Sequence, residues 1–402
     1  MKVLILSYHF PPHAIVGARR WAKFAKHLAR KGHAVTVIAA QAAKDAVSPW
    51  DEDLLPTIRI HRLPPRYPRV LDESPATPLG KLRYKLSLLF VRAFSRGSPY
   101  DRSAFWANRL ESKVKESFSA EGPADVVLAN GPPFRLLADA VALKKNRPDL
   151  KVVVDVRDPW TWWFNMGYAG LSPRRRAYEE NLEASVVRGA DRILTPSEEI
   201  RSVLTRKYPG ESAKVGVLPH GYDPEALSPR SAERPGIPRL IYYGSIYPGA
   251  KALLEEFVGA LRGSGRPLRF DLYAFAEKFP GTLASSGSLR ITMHPPLPER
   301  RLFEEVAASD FAVLFSFRGI EDFLATKYYE IVASRTPIVL VGEPGAASRF
   351  VEMNGLGVFL RSGSMARDLE KLFRPFVPAP FDASPYAFDR LTDDLLELIP
   401  KR

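Results

Sequence analysis

Gly319 to Pro337, GIEDFLATKYYEIVASRTP, runs a turn carrying two acids into a stretch of helical character, and the apolar run Ile338 to Val341 follows directly. A helix leading into a short continuous apolar strand is one crossover of a parallel α/β sheet. Asp322 and Glu330 are eight residues apart, and at about 3.6 residues per turn a helix puts them on roughly the same side. Lys327 stands three residues before Glu330, again on that side, and Glu321 joins Asp322 at the mouth. A cation and acids on one helix edge beside a strand end suit a ligand bearing both phosphate and hydroxyls. The same spacing also serves a solvated face with spaced ion pairs, and taken alone it favours that plainer reading.

What reverses the balance is a resemblance. The pattern acid, seven residues, acid, with Thr326-Lys327-Tyr328-Tyr329-Glu330 inside it, resembles the donor-binding signature of retaining family 4 glycosyltransferases with the GT-B fold. By that resemblance Glu330 binds the ribose hydroxyls of a nucleotide sugar, Lys327 binds its phosphates, Asp322, with Glu321 beside it, meets the donor sugar, and Thr326 is a further donor-binding residue. The family usually has Glu at the first acid, where this chain has Asp322.

Composition bounds the remaining possibilities. A chain of 402 residues is too long for one core, so two domains are expected. No run approaches the ~20 apolar residues of a membrane span, and Met1 to Leu6 enters a strand rather than a signal peptide. A cytoplasmic protein is the expectation. There are no cysteines, which excludes disulfides and thiolate catalysis, and the seven histidines lack metal-ligand spacing, so no metal and no cofactor are expected. The net charge of +13 attracts polyanions, whether nucleic acid, acidic lipid or phosphate-bearing substrate. No nucleic-acid-binding motif accompanies it, and nucleic acid is not an expected partner.

From the N-terminus, Val3 to Leu6 leads through a proline loop to Gly17, after which Ala18, Trp21, Ala25 and Leu28 fall at helical spacing and Ala34 to Ala40 forms the next strand. This βαβ unit delivers Gly17 to a helix N-terminus, where free amides and the helix dipole favour an anion. The string PPHAIVGARRWAKFAKHLARKGHAVTV also resembles the opening of family 4 enzymes, whose loop faces donor phosphates and acceptor. That implies donor contact at Gly17 and acceptor contact at Arg19 and Arg20; otherwise these arginines belong to a basic solvated face with Lys23, Arg30 and Lys31.

Lys81 to Arg96 is the second informative element. Wound as a helix it gathers Leu82, Leu86, Leu89, Phe90 and Ala93 on one stripe and Lys81, Lys85, Arg92 and Arg96 on another, leaving Leu88, Val91 and Phe94 outside both. Such a helix either lies in an anionic membrane surface, giving a peripheral contact at the inner leaflet, or packs its stripe on the N-terminal domain with its cations in water. Packing is the commoner fate and is the expectation.

Ala124 to Asn130 and Val152 to Val156 read as further strands, the second ending in DVRDPWTWW from Asp155. An acid and an arginine at a strand end stand where open α/β sheets place ligands, although the two can also pair with each other. The string resembles the aspartate, arginine, aspartate, tryptophan motif of a bacterial subgroup of family 4. By that resemblance Arg157, Asp158 and Trp160 face the acceptor, Asp158 being the polar group nearest the chemistry and Asp155 structural. Pro219-His220-Gly221-Tyr222-Asp223 reads as a structural turn, and Ser228 to Pro238 has the Pro, Gly and charge of an exposed linker.

The strand Arg239 to Tyr243, then Gly244-Ser245, then a helix from Ala250 repeats the arrangement of the N-terminal unit. Family 4 enzymes usually carry Arg after this glycine, where Ser245 stands, and a Lys near the helix start, where Lys251 lies; both positions contact the donor diphosphate. Pro296 and Leu297 follow a strand in the turn where the family holds the nucleotide base.

The fold implied is two Rossmann-like doubly wound α/β domains facing each other across a cleft: an acceptor domain over 1–227, a linker over 228–238, a donor domain over 239–383, and a helix over 384–402 crossing back. The function implied is transfer of a sugar from a nucleotide-diphosphate sugar to a glycan, lipid-linked or small-molecule acceptor, with retention and without metal. Asp158, Lys251, Lys327 and Asp322 would serve the chemistry. A non-catalytic GT-B protein that binds a sugar nucleotide or polyanion is the alternative, supported by the departures at Ser245 and Asp322; an epimerase acting on the sugar nucleotide is another.

Overall fold

The structure, a computed structural model, describes all residues except 45, 73–74, 76, 163–167, 169, 229–235, 247, 275–282, 320–323, 375 and 401–402. The chain divides into two compact units, Met1–Pro219 with Leu391–Arg402, and His220–Arg390.

In the first unit the strands are β1 (Lys2–Leu6), β2 (Ala34–Ala40), β3 (Arg59–Leu63), β4 (Val126–Gly131), β5 (Lys151–Val156), β6 (Arg192–Thr195) and β7 (Val215–Val217). Among the described residues they form one parallel sheet in the order β3-β2-β1-β4-β5-β6-β7. Its helices are α1 (Val16–Arg30), α2 (Pro78–Phe94), α3 (Ala107–Glu121), α4 (Arg135–Ala142), α5 (Pro173–Gly189) and α6 (Glu198–Lys207). The inner strands are continuous apolar runs because helices cover both faces of such a sheet; every residue of β4 is buried. Strand order reverses between β1 and β4, which opens a crevice beyond their C-terminal ends.

The second unit repeats the plan with β8 (Arg239–Tyr243), β9 (Leu268–Tyr273), β10 (Leu289–His294), β11 (Phe311–Ser316), β12 (Ile338–Gly342) and β13 (Gly357–Arg361), in the parallel order β10-β9-β8-β11-β12-β13. Its helices are α7 (Lys251–Gly263), α8 (Glu299–Ala307), α9 (Thr326–Ala333), α10 (Ala346–Met353) and α11 (Met365–Asp368), and α12 (Phe388–Leu398) ends the chain. The described part of the opening stretch thus carries α9 of the β11–α9–β12 crossover. Here order reverses between β8 and β11, which pair only through Leu240 with Phe311 and Ile241 with Ala312.

The chain changes unit at Pro219, ahead of the linker read over 228–238, whose residues 229–235 lie outside those described. Tyr222 explains the earlier change: its amide donates to Tyr386 O and its carbonyl accepts from Phe388 N, both at 3.0 Å, which ties this segment to the end of the second unit. The return to the first unit comes at Leu391, inside α12, rather than at 384.

One alternative reading and one expectation about surfaces are corrected. The basic face of α1 is largely not solvated: Arg19, Arg20 and Lys23 are 4, 2 and 2% exposed. Lys23 and Lys26 both pair with Asp53, at 2.8 and 3.1 Å, because the irregular segment after β2 folds over the helix and supplies that carboxylate. The stripe of α2 expected to pack is the exposed one. Leu82, Leu86, Leu89 and Phe90 are 53, 57, 60 and 49% exposed. The helix is seated instead through Tyr84, Leu88 and Val91, which meet Tyr67, Val70, Leu71 and Phe105. Its start is set by Thr77, whose Oγ1 accepts from Gly80 N at 3.1 Å, and by Pro78 in the first turn.

Candidate functional site

At the β8/β11 switch point of the second unit the structure assembles Gly244, Lys327 and Glu330. Gly244 follows β8 with φ +89°, and a Cβ there would stand 2.9 Å from Lys327 Nζ. The left-handed backbone conformation calls for glycine, and a side chain there would press on the Lys327 ammonium. Lys327, in the first turn of α9, donates Nζ to the Tyr243 carbonyl and lies 4.7 and 5.1 Å from the ring centres of Tyr242 and Tyr243. Enclosure among these groups lowers its pKa to about 8, against an upward pull from Glu330. Glu330 is 6% exposed, and its Oε2 accepts from the Tyr243 hydroxyl at 3.0 Å.

The other donor-side positions are less engaged. Thr326 opens α9, and Ser245 is exposed with its carbonyl accepting from the Tyr242 hydroxyl at 2.7 Å. Lys251 is exposed at the start of α7. Pro296 is exposed after β10, while Leu297 is half-buried against the second unit's core. Glu321 and Asp322 lie outside the described residues.

In the first unit the elements bring Arg157 to Gly17. A Cβ on Gly17 would lie 2.0 Å from Arg157 Nη1, so only glycine leaves the guanidinium its place at the first turn of α1. Arg157 Nη2 pairs with Asp158 Oδ2 at 3.3 Å. The buried Nη1 has no hydrogen-bond partner among the described residues, which leaves a donor at a helix N-terminus available to an anion. Arg20 is not available. It ion-pairs with Asp155 at 2.9 Å and donates to Pro219 O and Leu218 O at 2.7 and 2.8 Å, tying α1 to β5 and to the end of the unit. Arg19, expected with it at the acceptor, is also buried.

Arg157 and Trp160 line a cavity of about 520 Å³ at the β1, β4 and β5 ends; Asp158 is not among the described residues of its wall. Trp160 stacks on Phe134 at 4.6 Å, and its Nε1 donates to Glu179 Oε2 at 2.8 Å. Sequence reasoning missed His9, Asp101, Arg102 and Glu179 in this wall. The carboxyls of Asp101 and Glu179 are both shifted upward by burial. Their oxygens are nevertheless occupied: Asp101 accepts from Ser103 and Arg135 amides, and Glu179 from Ser98 N and Trp160. They shape the wall rather than offer a free base. Burial holds the His9 imidazole well below its ordinary pKa, hence neutral. The signal for Asp101 and Glu179 was slight, since each is held in the wall partly by residues brought from other segments, Arg135 for Asp101, Ser98 and Trp160 for Glu179.

Among the described residues no group of three His, Asp or Glu side chains converges as a metal site would require, and no helix is long and apolar enough to cross a membrane.

A family profile described as glycosyl transferase 4-like domain matches residues 17–221, which begins at the glycine under Arg157 and ends in the turn after β7. The chain belongs to the glycosyl transferase 4-like family. Three solved structures place this glycosyltransferase in the GT-B fold. Sucrose-phosphate synthase from Thermosynechococcus elongatus is 13% identical with a TM-score of 0.60, covering 99% of this chain and 94% of that one. HepE from Anabaena, solved in complex with UDP, is 12% identical with a TM-score of 0.59 and 99% coverage of both chains. WaaG, a glycosyltransferase involved in lipopolysaccharide biosynthesis, is 14% identical with a TM-score of 0.57 and 100% coverage of both. No curated protein matches the sequence. The family assignment makes sugar transfer the class of reaction.

Proposed function

We propose that the protein moves a sugar from a nucleotide-diphosphate donor held by the second unit to an acceptor held by the first, with retention of anomeric configuration and without a metal. The observation that carries this reading is the Gly244, Lys327, Glu330 cluster at the β8/β11 switch point. A glycine that lets an ammonium approach a strand end suits a diphosphate, and a carboxylate beside it suits the vicinal hydroxyls of a ribose. The UDP in the HepE structure fits a donor of this class. As the anomeric bond breaks, negative charge grows on the leaving diphosphate. Lys327 and Lys251 would neutralise it where it develops, with Asp322 at the donor sugar and Asp158 toward the acceptor. The first unit would offer Arg157 Nη1 and the aromatic wall at Trp160 to the acceptor. We place this activity in the cytoplasm, with a glycan, a lipid-linked sugar or a small molecule as the acceptor.

The test is a thermal-shift panel of nucleoside diphosphates and their sugars, because a ligand that binds only the folded state raises the midpoint by mass action. One member should stabilise the protein, and Glu330→Ala should weaken its binding about ten-fold or more, as expected for removing a charged hydrogen-bond partner. A stabilising donor that gives no turnover with any acceptor or water would instead support the non-catalytic binding protein. No shift with any member would sink the donor assignment.

A further inference from the structure

The exposed face of α2 carries an unusual combination. Leu79, Leu82, Leu86, Leu89, Phe90 and Phe94 are between 49 and 69% exposed on a helix whose opposite side is already seated on the first unit. A row of exposed cations, Lys81, Lys85, Arg92 and Arg96, runs along one edge of that stripe. No Asp or Glu occurs anywhere from Pro78 to Tyr100. The row is extended by a neighbouring helix: Arg175 of α5 donates to the Arg92 and Gly97 carbonyls, so the exposed Arg174 and Arg176 lie near the C-terminal end of α2. Water-facing leucines cost solvation unless something apolar covers them, and a contiguous apolar patch on a soluble surface marks an interaction site.

We infer that this face docks the enzyme on an anionic lipid bilayer, the leucine and phenylalanine stripe entering the boundary between headgroups and acyl chains while the cation row meets the lipid phosphates. Charge selects this occupant. The cations beside the stripe have no carboxylate neighbours in the element, so the surface that covers it has to be negative as well as apolar. A second copy of the chain would bring the same cations and the same net +13 to the contact. Docking of this kind also orients the enzyme. The chain leaves α2 at Phe94 and reaches the cavity wall at Ser98, within roughly 14 Å of backbone, so the cavity is held close to the membrane surface. That last step rests on the reading of the cavity as the acceptor side; the docking itself does not.

The experiment uses the full chain with vesicles of phosphatidylcholine alone and of phosphatidylcholine mixed with phosphatidylglycerol, at low and high salt. Retention is expected on the anionic vesicles at low salt, with salt reversing it and the neutral vesicles failing to hold the protein. Partition should fall about a hundred-fold or more in Leu82→Gln/Leu86→Gln/Leu89→Gln and about five-fold per cation in Lys81→Gln/Lys85→Gln/Arg92→Gln/Arg96→Gln. Both variants should melt with wild-type midpoints, since every changed side chain is exposed. In the unaltered protein, amide exchange over 78–96 should slow on anionic vesicles only. The inference is overturned by equal retention on both vesicle types, by no retention, or by leucine variants that bind as wild type. A concentration-dependent dimer lost in the leucine variant would also overturn it, in favour of a second copy on this face. No sugar transfer is read, so failure of the donor assignment leaves the result intact.

Discussion

Lys327 is the residue at which a local feature and the proposed chemistry meet. Its folded-state pKa of about 8 lies below the ordinary 10.5 because burial penalises the charged form. Between those values the unfolded chain keeps a proton that the folded protein has released, so this group makes stability rise with pH across that window. Diphosphate binding has the opposite dependence, because it needs the ammonium. We expect the Kd of the nucleoside diphosphate to rise by up to about ten-fold per pH unit above pH 8, measured by calorimetry. Lys327→Arg, charged throughout, should flatten that slope even where it lowers affinity. An unchanged slope in the arginine variant would exclude Lys327 as the titrating group. Helix geometry put Lys327 and Glu330 on one edge in the sequence, and the family resemblance, not the spacing, marked that edge as a candidate donor site. The pairing of Arg157 with Gly17 was not, since it joins the end of β5 to the start of α1 across the sheet.

Among the elements, α1 shows how far the environment overrides appearance. Its arginines and lysines read as a solvated face, yet most are buried beneath carboxylates delivered by other segments. Asp155 is the partner that holds α1 on β5: its Oδ2 accepts from Arg20 Nε and from Trp21 Nε1, both at 2.9 Å. Asp155→Ala would leave the Arg20 charge buried and unpaired, and should destabilise the first unit by about 3–5 kcal/mol in denaturant unfolding. A loss below about 1 kcal/mol, as for an exposed pair, would show that Arg20 finds water or another partner. The helix α2 makes the converse point. Its amphipathic period was plain in the sequence, but which side faced the protein depended on Tyr67, Leu71 and Phe105, supplied from outside the helix.

Across the whole molecule, the C-terminal segment makes stability of the first unit depend on the last residues of the chain. Leu391 and Leu395 are fully buried, and Asp393 pairs with Lys31 at 2.7 Å. Leu395→Ala should cost about 2–5 kcal/mol through lost burial and the cavity left behind. Differential scanning calorimetry should show the transition of the first unit lowered and that of the second unchanged, while a bound nucleoside diphosphate should raise the second. Equal shifts in both would mean that the two units melt as one and would defeat this expectation. The unit boundary shares this dependence on the chain's end, because Tyr222 follows the backbone of Tyr386 and Phe388 rather than its own neighbours.

By itself the sequence determined the alternation of apolar strands and helices, the repeat of strand, glycine and helix in both halves, and the helix edge carrying Lys327 and Glu330. These are properties of period and local geometry, and no distant contact is needed to read them. Only the tertiary structure decided which charges are buried, which side of α2 is exposed, and which residues wall the cavity at Trp160. Each of those depends on partners supplied by other segments of the chain, and burial, which sets the cost of a charge or an exposed leucine, exists only once those partners have come together.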